Sequence, residues 1–244
     1  MQILYDNKAL SAAVSRSTEN SYYPVTNLQD PRLSRKFRTL DAAGEYVKFS
    51  TRITASRFAI LGHNISEGST IILQGNDTDI WTAPSFEETL TWKSGIILHS
   101  FTEVTYNYWR LYMDGGSNSY FDIGLLYLGT YLQLPNMKAD QEIADETTAE
   151  VTISSGGQAY GDEGYDYRAP TINFPGVTNA QRDGIRAMWS TVKNVRPVIS
   201  VVWANRTDME TPIYGILDQK EIKFKKSDSH LYPWSTTLQL REVF

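Results

Sequence analysis

Short runs of β-branched and aromatic residues, broken by turn residues, fill the chain from Tyr46 to Gly129. Tyr46-Val47-Lys48-Phe49, Arg57-Phe58-Ala59-Ile60-Leu61-Gly62 and Thr70-Ile71-Ile72-Leu73-Gln74-Gly75 come first. Gly95-Ile96-Ile97-Leu98, Tyr108-Trp109-Arg110-Leu111-Tyr112-Met113 and Phe121-Asp122-Ile123-Gly124-Leu125-Leu126-Tyr127-Leu128 follow. Each run has strand length, and Ser66-Glu67-Gly68, Gly75-Asn76-Asp77 and Asp114-Gly115-Gly116 punctuate them. That pattern predicts antiparallel strands in a sandwich or barrel. Residues 1–135 read as one β-sandwich.

The pattern changes after Leu134-Pro135. Asp140, Glu142, Asp145, Glu146 and Glu150 crowd residues 140–150 with no basic residue among them. Such a run suits a solvated connector or a charge-guarded edge strand, with a cation site as the alternative. Residues 154–164, Ser-Ser-Gly-Gly-Gln-Ala-Tyr-Gly-Asp-Glu-Gly, predict a mobile loop. A helix over about 178–193 follows, because Thr178 with Gln181 three positions later forms a capping-box pattern. Behind it Ile185, Met188, Trp189 and Val192 share one face. Around the helix, Thr171–Phe174, Val198–Trp203, Tyr214–Leu217 and Glu221–Phe224 read as strands. The last strand, Trp234–Arg241, alternates Trp234, Thr236, Leu238 and Leu240 against Thr237, Gln239 and Arg241. The second half, 136–244, thus predicts a β-sandwich crossed by one helix.

Composition narrows the picture. The chain has 244 residues, 41% hydrophobic and 21% charged, with 15 Tyr, 9 Phe and 6 Trp, which excludes a disordered chain. Its formal charge is 23 minus 28, or −5, so generic nucleic-acid affinity is not expected. The charge divides into 11 minus 13 over residues 1–135 and 12 minus 15 over 136–244. Without cysteine there is no disulfide, thiolate metal site or thiol nucleophile. The amino terminus lacks a secretory n-region and h-region. No apolar run approaches the roughly 18 residues that span a bilayer. A soluble chain without an export address is expected.

Candidate chemistry is sparse. The three histidines, His63, His99 and His230, form no metal or catalytic motif, and neither Gly-x-Ser-x-Gly nor a phosphate loop occurs. No catalytic residue, cofactor site or metal site is assigned. Calcium near Asn27 and Asp30 would lack most of the six to eight oxygens, roughly, that it takes. A glycosidase carboxylate pair stays open, since any two strands could assemble one. Lys220, Lys223, Lys225 and Lys226 interleave with Ile222 and Phe224, giving either a basic stripe for an acidic partner surface or a lysine-guarded edge strand. Tyr160, Tyr165 and Tyr167 are candidate interface aromatics. Trp81, Trp92 and Tyr106 are candidate carbohydrate contacts, against the alternative that they fill the sandwich core.

Two resemblances bear on function. Ser17-Thr18-Glu19-Asn20, Tyr23-Pro24, Asn27-Leu28-Gln29-Asp30, Phe37, Leu61-Gly62-His63-Asn64, Tyr108-Trp109-Arg110-Leu111 and Tyr120-Phe121-Asp122-Ile123-Gly124 resemble discoidin-like, galactose-binding-like domains. This implies a jelly-roll β-sandwich over most of residues 10–130. The same opening, with a helix-bearing β domain and the ending Thr237-Leu238-Gln239-Leu240-Arg241-Glu242-Val243, looks like minor tail proteins of long-tailed bacteriophages, of the distal-tail or baseplate-ring type. That resemblance implies a tail-tube-like second domain and a homo-oligomeric ring, commonly a hexamer, linking tail tube to tip. The implied location is the virion tail, after synthesis in the host cytoplasm. The domain order departs from that family's, since the ring-like domain is expected to follow the other. The reading is therefore a non-enzymatic tail component, with a carbohydrate-binding module contacting the host envelope as the alternative.

Overall fold

The computed structural model describes residues 1–135, 137, 142–202, 212–226, 231 and 233–244. The chain is mainly β, with one α-helix among the described residues. It divides into two compact units, and the division does not fall where the composition changes. One unit, here called split, joins Met1–Tyr5 to Leu132–Val243; the other, here called inserted, spans Asp6–Tyr131.

The chain opens with β1 (Gln2–Leu4), which belongs to the split unit. The inserted unit then carries β2 (Val14–Arg16), β3 (Phe37–Arg38), β4 (Glu45–Phe49), β5 (Ile53–Leu61) and β6 (Ser69–Asn76). It continues through β7 (Phe86–Thr89), β8 (Ile97–Tyr106), β9 (Tyr108–Gly115), β10 (Asp122–Ile123) and β11 (Leu125–Gly129). These form a five-stranded sheet in the order β2-β4-β9-β6-β7, a three-stranded sheet β11-β5-β8 and the pair β10-β3. All pairings are antiparallel. Alternation explains the layering: on β9, Trp109, Leu111 and Met113 are fully buried while Arg110 and Tyr112 lie on the outer face. Phe49, Ile71, Leu73, Phe58, Ile60, Leu126 and Leu128 join the same core.

The split unit continues with β12 (Leu132–Gln133), β13 (Glu142–Thr147), β14 (Glu150–Ile153), β15 (Ala159–Asp162) and β16 (Asp166–Val177). Then come α1 (Asn179–Val192), β17 (Val198–Val201), β18 (Ile213–Leu217), β19 (Lys225–Lys226) and β20 (Trp234–Glu242). One sheet runs β12-β1-β17-β18-β20-β16-β13, with β19 also paired to β20. Thr178 caps α1: its hydroxyl accepts from the Gln181 amide at 3.2 Å, and the Gln181 side chain accepts from the Thr178 amide at 3.0 Å. Ile185, Met188 and Val192 are buried with Ile3, Leu134, Ile172, Phe174, Leu217, Leu238 and Leu240.

Several expectations need correcting. The first domain does not begin at residue 1, because Gln2–Leu4 pairs with both β12 and β17 and Ile3 is fully buried in the split unit. Residues 154–164 are no simple loop: Glu150–Ile153 and Ala159–Asp162 pair as a hairpin turning over Ser154–Gln158. Glu221–Phe224 is not a strand; only Lys225 and Lys226 pair, with Ser235 and Trp234. Trp203, His230 and Asp140 lie outside the described residues. Of the rest of the acidic run, Glu142, Asp145 and Glu146 lie on β13, an edge strand bonded to β16 alone among the described residues, and Glu150 opens β14.

Ile3→Ala is expected to destabilise the split unit by about 2–4 kcal/mol, the usual cost of such a core truncation. Hydrogen exchange under mild urea should show faster exchange at Ile172 and Leu238 with Ile60 and Leu111 unchanged. Equal protection in both variants would show that β1 is dispensable.

Candidate functional site

The outer face of the five-stranded sheet carries the most distinctive chemistry in the inserted unit. Register places Lys48, Arg110, Gln74 and Glu87 in one row across β4, β9, β6 and β7, with Tyr46 and Tyr112 paired in the next. A loop after β6 brings Trp81 over this row, with the Arg110 guanidinium 4.5 Å from the indole centroid. Tyr112 and Tyr46 flank the same guanidinium at 5.7 and 5.8 Å. The indole is held from behind: Trp81 Nε1 donates to Asp79 at 2.7 Å, and Asp79 accepts from Lys48 at 2.6 Å. The Lys48 ammonium, more than the indole N–H, holds the Asp79 carboxyl below its usual range.

Arg110 is the unusual member. Its Nε donates to Gln74 at 2.7 Å, and Gln74 in turn donates to Glu87 at 2.7 Å. Partial burial pushes the Arg110 pKa down, and the cation is incompletely partnered. Of five guanidinium donors, the Nε–H alone is used, and no carboxylate lies within ion-pair distance among the described residues. Arg38 makes the contrast: lying over the Tyr23 and Tyr120 rings, it is charge-paired through two bonds to Asp122 at 2.7 and 2.8 Å. Arg110 therefore presents unspent donors between aromatic rings, an arrangement suited to a ligand with hydroxyl acceptors and an apolar face.

The three expected carbohydrate contacts do not come together. Trp81 sits on the platform just described. Trp92 packs against the sandwich core and donates to the Ile65 carbonyl at 2.7 Å. Tyr106 stacks edge-on to Trp109 at 5.6 Å and covers Gly75, where an added Cβ would stand 2.5 Å from its ring. Trp92 and Tyr106 thus serve packing, the alternative the sequence left open. Arg110, Tyr46, Tyr112 and Gln74 were missed, although the alternation of Tyr108, Arg110 and Tyr112 with Trp109, Leu111 and Met113 carried the signal. The Asn27 and Asp30 side chains are otherwise engaged: Asn27 donates to the Lys36 carbonyl, and Arg32 holds the Asp30 carboxyl at about 2. Among the described residues, no group of three or more His, Cys, Asp or Glu is placed to hold a metal ion.

In the split unit, Lys220, Lys223 and Lys225 line an open groove of about 720 Å³ with Asn173, Gln239 and Glu221. Lys223 pairs with Glu221 at 2.8 Å, and Thr236 donates to the Lys223 carbonyl at 2.8 Å. Lys226 is exposed on β19 but does not line the groove. Tyr160 lies on β15, 60% exposed, and Tyr165 is 58% exposed with its ring 6.1 Å from that of Tyr167. Tyr167 is anchored by donation to Glu146 at 2.7 Å. No helix among the described residues is long and apolar enough to cross a membrane.

No protein-family model and no curated protein matches the sequence. Among solved structures, the chain is similar to the family 32 carbohydrate-binding module of Clostridium perfringens NanJ in complex with galactose: 13% identity, TM-score 0.42, covering 54% of this chain and 99% of that one. It is similar to a Streptococcus pneumoniae fucose-binding module at 10% identity and TM-score 0.43, covering 52% and 98%. It is also similar to chitosan-binding module 1 of a Paenibacillus chitosanase/glucanase at 16% identity and TM-score 0.42, covering 50% and 98%. These likenesses concern architecture over about half of the chain and assign no ligand.

His63 supplies a pH test of the inserted unit. Burial pushes its pKa down, the Lys36 charge acts in the same direction, and backbone groups of Gly95 and Lys93 offset part of the shift. The unfolded chain therefore takes up the proton first as pH falls. The stability held by neutral His63 is complete above the ordinary histidine value of about 6.5 and declines below it. Urea midpoints of the inserted unit should fall between neutral pH and about pH 5.5, and His63→Gln should flatten that slope. An unchanged slope in the variant would remove His63 as its cause.

Proposed function

We propose that the inserted unit is a non-catalytic saccharide-recognition unit that takes glycan on the outer face of its five-stranded sheet, around Arg110 and Trp81. The observation that carries this reading is the set of unspent Arg110 donors held between Trp81, Tyr46 and Tyr112. A pyranose offers hydroxyl acceptors at its rim and an apolar C–H face, the two features this surface complements. Lys48 is neutralised by Asp79, and Glu87 is engaged by Gln74. That balance favours a neutral sugar over a strongly anionic one. Because the platform lies on an open sheet rather than in a closed pocket, an extended chain fits it better than an isolated sugar.

A glycan array followed by calorimetry tests this. Arg110→Gln and Trp81→Ala should each weaken binding about tenfold or more, the equivalent of losing a charge-assisted hydrogen bond or a stacking face. Tyr22→Ala, at an exposed residue that makes no contact with Arg110 or Trp81, should leave affinity unchanged. Absence of binding by the full chain, or equal binding by all variants, would sink the reading.

A second reading, assembly into a larger structure, is favoured by the hairpin of β14 and β15. Val151 and Ile153 are 72% and 69% exposed, and no residue of either strand is buried. An isolated two-stranded hairpin is marginal in water, and clustered exposed apolar residues mark an interaction surface. With the resemblance to minor tail proteins, this supports a homo-oligomeric component of a bacteriophage tail, made in the host cytoplasm and joined to tube and tip proteins. Immunogold labelling of purified particles should then mark the tail near its tip. Particles free of the chain would exclude the virion role.

A further inference from the structure

Resting on the assembly reading, we infer that the hairpin arm of one copy docks in the lysine-lined groove of a second copy of this chain. The arm extends from β13 and β16 through Thr148 and Tyr165 into β14 and β15. Residues 142–166 hold seven carboxylates (Glu142, Asp145, Glu146, Glu150, Asp162, Glu163 and Asp166) and no Lys or Arg. Directly opposed residues of an antiparallel pair share a face. Val151, Ile153, Ala159 and Gly161 therefore form an uncharged apolar face, while Glu150, Thr152, Tyr160 and Asp162 form the other. The arm thus offers an apolar contact strip backed by acid.

The groove offers the complement. Its lining has three lysines, Lys220, Lys223 and Lys225, against one glutamate, with the exposed Pro175 beside them in the lining. Lys223 has Glu221 as its partner, whereas Lys220 and Lys225 make no ion pair among the described residues. A carboxylate-bearing strand with an apolar face satisfies both the cations and the hydrocarbon stems.

A copy cannot serve itself in this way. The groove is built on Asn173–Pro175 of β16, whereas the arm departs from the opposite end of that strand at Asp166. Asn173 lies seven positions along the extended strand from Asp166, about 23 Å at the usual strand rise. Contact between unlike patches on identical chains is heterologous, so it propagates from copy to copy and closes into a ring where the rotation permits. The strip would then be covered in every copy of a closed assembly.

Sedimentation velocity of the full chain at low and high salt tests this, with two charge-reversed variants. One carries Lys220→Glu, Lys223→Glu and Lys225→Glu; the other carries Glu150→Lys, Asp162→Lys and Glu163→Lys. The wild type should oligomerise, with dissociation rising about tenfold or more at high salt. Each variant alone should be monomeric, because its arm and groove carry like charge. Mixed, the two should recover oligomers that alternate between variants, because the reversed arm meets the reversed groove and the unaltered arm meets the unaltered groove, a recovery that misfolded variants would not give. Wild-type oligomers that both variants retain, or variants that stay monomeric when mixed, would overturn the docking and leave the assembly reading standing. A wild type that remains monomeric at high concentration and low salt would overturn both.

Discussion

The pairing of β1 with β12 and β17 is the constraint on which the rest of the chain depends. Gln2–Leu4 is only three residues long, yet it lies between two strands that come from beyond residue 131. Its antiparallel register, Ile3 opposite Leu132, places the chain's exit at Tyr5 beside its return at Leu132. The inserted unit therefore closes its own chain across the spacing of one strand pair, a loop closure that costs the split unit little. Core formation in the split unit joins residues more than 230 positions apart: Ile3 shares its cluster with Leu238 and Leu240. Such long-range pairing is a demanding element of folding for that unit.

What could be read in advance follows from how far a local pattern determines a tertiary partner. The α1 helix was legible to within a residue at each end, because Thr178 and Gln181 cap it through bonds between near neighbours. Strand β20 was equally legible, since Thr236, Leu238 and Leu240 alternate over enough residues to fix a face. Three residues of β1 carry no such period, and nothing in Gln-Ile-Leu says that its partners lie so far along the chain. The hairpin of β14 and β15 was hidden for another reason. Ala159-Tyr160-Gly161-Asp162 has turn composition, and its pairing with Glu150–Ile153 is written in the register rather than in propensity.

The same distinction governs the candidate site. Trp81, Trp92 and Tyr106 are alike in composition, but their roles separate once partners are known. Trp92 spends its N–H on a core carbonyl, Tyr106 fills space over Gly75, and Trp81 spends its N–H on a surface carboxylate beneath an open ring. Aromatic content alone could not separate these. Arginine pairing is a sharper discriminator than aromatic identity. Arg38 and Arg168 are each closed off by a bidentate carboxylate, Asp122 and Glu242, whereas Arg110 is held by a neutral amide that leaves its charge and most of its donors available. Choosing Gln74 rather than an acid beside Arg110 keeps the guanidinium in place without satisfying it.

Sheet order in the split unit also bears on whether recognition and assembly can coexist in one chain. The path runs β12-β1-β17-β18-β20-β16-β13, so the two chain crossings to the inserted unit leave from β1 and β12 at one edge. The acidic arm grows from β13 and β16 at the other edge, and the lysine groove is built on β16 and β20 next to it. The strands β17 and β18 separate these features, so arm docking requires no residue of the strand pair that carries the insertion. A modest overall charge of −5 conceals this separation, because the seven carboxylates of residues 142–166 and the three lysines of the groove lie on different surfaces. Net charge predicts mutual repulsion between copies of such a chain; its distribution over one sheet predicts directional attraction between unlike patches, which is the property an assembling subunit needs.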